Sequence, residues 1–133
     1  MPLVQVLPLA EVSADHRRTI YENDLSGESR LKRVNVIKVR ETGPQRLGDH
    51  HHDATEELFL LAYGEIQLLV VTKDNVTERI ENINAPALIP IPTGVDHTVV
   101  LAAGSVLVTL VDRPFDPTDM IGATDAHKAA VTV

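Results

Sequence analysis

Beta-branched and aliphatic runs of strand length fill most of this chain, and segments with helical periodicity are nearly missing. The runs are Val4 to Leu7, Arg18 to Tyr21, Leu31 to Val39, Leu47 to His52, Glu57 to Leu61 and Glu65 to Thr72. They continue with Val76 to Ile80, Ala87 to Pro90, Thr98 to Leu101 and Ser105 to Val111. Turn residues separate them at Gly43-Pro44, Tyr63-Gly64, Lys73-Asp74-Asn75, Pro92-Thr93-Gly94 and Ala103-Gly104. Turns at roughly eight- to twelve-residue intervals predict an all-β sandwich or barrel, and crossover helices for an α/β order have no room. Pro90 and Pro92 bracket Ile91, which places that segment at a strand edge or barrel rim. Phe59 and Leu61 alternate with Leu58 and Leu60, so both faces of that strand are oily and something covers the outer one. A homodimer is the expected cover. The barrel is expected to occupy residues 1–118. A short helix near Asp116 to Ile121, or a mobile tail, would account for 119–133.

Composition narrows the partners. At 133 residues the chain supports one domain with a real core. Its net charge of -7, with four aromatic residues and no tryptophan, excludes a nucleic-acid groove lined with cations and stacking rings. Lack of cysteine removes disulfides, thiolate metal sites and thiol nucleophiles. No run approaches the length of a membrane span, and Met1 to Ala14 has no leader pattern, so the default location is the cytoplasm.

Chemistry concentrates in two stretches: Gly48-Asp49-His50-His51-His52-Asp53 running on to Glu57 and Gly64, and Pro92-Thr93-Gly94-Val95-Asp96-His97. Residues two apart on a strand leave the sheet on one face, so His50 and His52 converge while His51 departs on the other. Glu57 follows after enough chain to turn and begin a neighbouring strand, although Asp49, Asp53 and Glu56 are close alternatives. Three imidazoles and a carboxylate suit a divalent transition ion, Fe, Mn, Ni, Co or Zn, better than magnesium or calcium.

In form, His50-x-His52-x4-Glu57-x6-Gly64 and Pro92-x-Gly94-x2-His97 resemble the two signature motifs of the cupin family. Gly43 stands one residue outside the usual spacing of the first motif, and Leu101 takes the place of a common asparagine. The resemblance implies an antiparallel double-stranded β-helix, a jelly-roll barrel, usually dimeric, with metal held by His50, His52, Glu57 and His97. A closer similarity runs from Asp15 to Asp119, through Asp15-His16-Arg17-Arg18, Leu31-Lys32-Arg33-Val34 and Phe115-Asp116-Pro117-Thr118-Asp119. It points to the cupins that isomerise nucleotide-linked keto-sugars and to related capsular polysaccharide proteins. In those isomerases glutamine commonly stands where this chain has Glu57, and the rings expected around Val34 to Ile37 are missing here.

Two chemistries follow. In a metal-free isomerase, His50 and His52 would carry protons between adjacent carbons, with Arg46 or Arg33 holding phosphate or a developing oxyanion. Arg46 stands closer to the histidines in sequence. With metal bound the imidazoles become ligands, and the ion would polarise a carbonyl or activate water or dioxygen. The substrate is expected to be a small polar molecule, with sugar derivatives among the candidates. A non-catalytic binding or sensor module is the third possibility.

Overall fold

A computed structural model describes residues 10–24 and 31–131. Its strands are β1 (Ala10–Ala14), β2 (Arg18–Asp24), β3 (Arg33–Val39), β4 (Gln45–His51), β5 (Glu57–Tyr63) and β6 (Glu65–Lys73). They continue as β7 (Val76–Asn84), β8 (Ala87–Ile91), β9 (Asp96–Leu101), β10 (Val106–Val111) and the short β11 (Ile121–Gly122). One sheet has the order β1-β2-β3-β10-β5-β8 and the other β11-β4-β9-β6-β7, with every pairing antiparallel. Because β10 returns between β3 and β5, and β9 between β4 and β6, the chain winds as a jelly roll.

Strand alternation explains the core. In β10 every second residue is buried, and Leu107 pairs with Leu61 of β5 and joins it and Phe59 in the core. Ile66, Leu69, Val99 and Leu101 close the opposite wall. Each such side chain removed from water contributes about 1.5–3 kcal/mol, and this shared interior is what keeps the two sheets face to face. Gly64 makes the β5–β6 reversal possible: its φ is 87°, and a Cβ there would run into Ser105. The Pro90 segment lies in β8, at an edge of its sheet, as its imino nitrogen requires.

Several elements depart from the sequence reading. Val4 to Leu7 lies outside the described residues. Strand β7 runs on to Asn84, past the expected end at Ile80, because an edge strand with one wet face tolerates the polar run Glu81-Asn82. The helix expected near Asp116 to Ile121 is a single 3-10 turn, Pro117–Asp119, capped by the Asp116 side chain. The true helix, α1, comes later (Asp125–Val131) and packs on β6, with His127 fully buried. Asp119 and Val131 are also buried, so this part of the chain is packed rather than loose.

Candidate metal centre

Strand β4 delivers the first histidine through an irregularity. Its register with β9 slips between Gly48 and His50, and Asp49 takes a left-handed φ of 63°. Gly48 sits so close to β9 that a Cβ would overlap the carbonyl of His97. A bulge reverses the parity of a strand, so Leu47 and His50 both line the barrel cavity. Arg46, which simple alternation places on the face of His50, instead points outward. Its side chain is half exposed and pairs with Asp49 at 2.7 Å, so the role expected for Arg46 in the site is corrected. His50 lies directly across from His97 of β9. His52 follows the end of β4, and Glu57 opens β5. The turn after Pro92 locks the two motifs together, because the Gly94 N–H donates to the His52 carbonyl at 2.7 Å.

These elements bring together all four residues inferred as ligands. One ligand atom each from His50, His52, Glu57 and His97 lie within 4.8 Å of one another. The hydrogen bonds fix how the rings are presented. Nδ1 of His50 meets the Gly48 carbonyl at 3.1 Å, that of His52 the Asp119 carbonyl at 3.0 Å, and that of His97 the Val95 carbonyl at 3.1 Å. A carbonyl only accepts, so each Nδ1 carries the proton and each Nε2 presents a lone pair. Oε1 of Glu57 stands 2.8 Å from Nε2 of His52 and 3.7 Å from that of His97, and it is buried with no well-directed donor. The result is a cluster of acceptors, which a cation or added protons must complete.

Titration follows the surroundings. Burial holds His97 down to about 4 and also lowers His50. Contact with Glu57 raises His52 despite its burial. Burial pushes the Glu57 carboxyl up, but His52 and the other imidazoles more than offset it and leave the group lowered.

The centre opens into a cavity of about 420 Å³ whose floor includes Leu47, Phe59 and Leu107. Arg33 lines it, buried, with Nε lacking a partner and the guanidinium 5.3 Å from the Phe115 ring centroid. Arg33 and Glu57 share a level of the sheet, since both pair with Val111 of β10 from opposite sides. Arg18 also lines the cavity with a buried, unpartnered Nη1, a placement the strand reading gave no reason to expect.

Sequence reasoning also missed the groups behind the centre. Asp119 and His127 lie in the segment read as a helix or tail; Asp119 closes the Phe115 to Asp119 stretch of the resemblance with no role assigned to it, and neither belongs to the two signature motifs. Asp96, beside His97, bonds His51 at 2.7 Å and receives both the N–H and hydroxyl of Thr124. A packed polar neighbour of a ligand motif was the available signal.

No protein-family model matches the chain, and comparison with curated proteins returns no match. Solved structures do resemble it. The capsular polysaccharide assembling protein CapF of Staphylococcus aureus aligns at 24% identity and TM-score 0.71 over 89% of this chain, which spans 33% of that one. QdtA, a sugar 3,4-ketoisomerase from Thermoanaerobacterium thermosaccharolyticum solved with TDP, aligns at 21% identity and TM-score 0.59 over 76% of each chain. A 3,4-ketoisomerase from Helicobacter canadensis aligns at 19% identity and TM-score 0.61 over 77% of each chain. The strand order, the two motifs at one end of the barrel and these likenesses agree: the chain folds as a cupin jelly roll.

Proposed function

We propose that the protein is a metal-dependent cupin enzyme acting on a small polar substrate, with sugar derivatives among the candidates. One observation carries this reading: three Nε2 lone pairs and a buried carboxylate oxygen converge, with every Nδ1 already committed to a carbonyl. That donor set fits Fe, Mn, Ni, Co or Zn, and such an ion supplies Lewis acidity toward a carbonyl, water or dioxygen. Glu57 would offset part of the ion's charge, burial favours neutral His50 and His97, and the three carbonyls orient the imidazoles. Arg33, whose planar fork suits an oxyanion, faces the same cavity and holds the anionic part of the substrate. Phe59 and Leu107 keep the floor dry, which strengthens every charge interaction above it.

A second reading has one observation in its favour. His50 lines the cavity while His52 is engaged by Glu57, and that asymmetry separates a base from an acid in a metal-free ketoisomerase. The solved ketoisomerases of the same fold point the same way. The two roles exclude each other, so metal content decides. Elemental analysis of untagged protein is expected to show one transition ion per chain, lost in His52→Ala. Protein without metal, which takes up none on titration yet washes solvent deuterium into a keto-sugar nucleotide, would establish the isomerase instead.

We infer a homodimer from the outer face of the six-stranded sheet. Leu58 and Leu60 are only half buried and Leu88 is 60% exposed. Light scattering at micromolar concentration should give twice the chain mass. Among the described residues no helix is long and apolar enough to cross a membrane.

A further inference from the structure

The segment between His52 and Glu57 is the weak point of the ligand set. Residues 52–56 form no strand, yet they must hold two ligands at a fixed separation. One side chain organises them. The buried carboxylate of Asp119 receives the backbone N–H groups of Asp53, Ala54 and Thr55 at 3.1, 3.0 and 2.9 Å, and also the Thr55 hydroxyl. The backbone carbonyl of the same residue accepts Nδ1 of His52 at 3.0 Å. Asp119 therefore fixes both the turn that sets the His52–Glu57 spacing and the ring state of His52.

The chain beyond Asp119 is fastened independently. Ile121 and Gly122 pair with His51 and His50, the Ala123 N–H reaches the Asp49 carbonyl, and Thr124 bonds Asp96. The C-terminal segment thus runs along the outer edge of β4, the strand that carries His50 and His51.

We propose that Asp119 is a positioning residue for the centre, acting through the 53–55 turn and the His52 ring, so that a residue outside both sequence motifs completes the metal site. The proposal rests on the metal-centre reading for its effect on affinity, and on the hydrogen bonds alone for its effect on His52. Asp119→Asn keeps the volume but places an amide, with its own donors, where only an acceptor fits. Loss of an outer partner of a metal ligand weakens binding by about 10- to 100-fold.

The test titrates Co(II) into purified full-length protein, follows its visible spectrum, and records imidazole ¹⁵N spectra of the metal-free form. In Asp119→Asn the affinity should drop in that range, the visible bands should shift, and the His52 Nδ1–H signal should weaken. Thr124→Val loosens the same segment at its other end, and should lower the melting temperature while leaving affinity and His52 unchanged. If Asp119→Asn does not fold, Thr55→Val removes only the hydroxyl donor and should shift both readouts in the same direction by less. Equal loss of affinity in Asp119→Asn and Thr124→Val, or no change in His52, would overturn the proposal. Wild-type protein that binds no Co(II) but shows the His52 signal, lost in Asp119→Asn, would sink the metal reading and leave the positioning role standing.

Discussion

The two faces of the β4–β9 pair use histidine in opposite ways. On the cavity side, His50, His52 and His97 have one nitrogen satisfied and leave the other as a bare lone pair. Behind the sheet, His127 has no vacancy. Thr98 donates to Asp49 at 2.6 Å, so Nε2–H of His127 donates to Thr98 at 2.8 Å. Nδ1 then accepts from Thr72 at 2.8 Å, and Thr72 accepts from Thr77 at 2.9 Å. The chain of hydroxyls has a single consistent direction. His51 likewise sits against Asp96 at 2.7 Å and Asp53 at 3.4 Å. A histidine with both nitrogens spoken for is part of the wall; one whose free nitrogen faces two others is part of a site.

Substitutions should separate the two faces. The largest effect on metal is expected for His97→Ala and Glu57→Gln, each weakening binding by more than about 100-fold, above the range for outer partners. Equilibrium titration with Zn(II) measures it, and retained affinity would mean that the ion, if any, sits elsewhere. Behind the sheet, His127→Ala should leave metal affinity intact but destabilise the fold by about 2–4 kcal/mol, because buried hydroxyls lose partners and a cavity opens. Chemical denaturation reads this directly.

Acid should act on both faces through different groups. Burial lowers His127, so between its folded value and about 6.5 the unfolded chain takes a proton that the folded one refuses. Its contribution to stability is complete above that range and is lost as pH falls through it. Asp119, lowered by its Thr55 bond, and Asp96, whose Thr124 and His51 bonds outweigh its burial, lose theirs further down, below about 4. Denaturation midpoints should therefore fall in two stages, the first smaller in His127→Gln, where only the lowered His50 and His97 still contribute to it. Metal affinity should already decline as pH drops through the raised range of His52, while His97 competes for protons only near 4. The smallest change is expected for Arg46→Ala: an exposed pair with Asp49 contributes less than about 1 kcal/mol, and turnover should not move.

How much could be read in advance follows the same division. Alternation and turn residues placed the strands, because each strand has one face in a shared interior. The four acceptors were legible because two motifs carry them at fixed spacing. Arg46 misled because it was favoured for nearness to the histidines in sequence, and the bulge at Asp49, a single inserted residue, swaps inside for outside between them. Asp119 and His127 were missed for a different reason. Each works through partners more than 25 positions away in sequence, and nothing local distinguishes a buried aspartate from a solvated one. The isolated ring of Phe115 gave no hint that it would lie under Arg33.

Strand β9 pairs His97 with His50 across a ladder between segments nearly fifty residues apart, and the Gly94 N–H must then find His52. No short stretch of chain can gather the whole ligand set, so a nascent polypeptide offers an ion only fragments of its final nest. On the metal-centre reading, capture would follow closure of the two sheets, and a tightly held ion would then act as a latch, favouring the closed form in proportion to the logarithm of free ion over its dissociation constant.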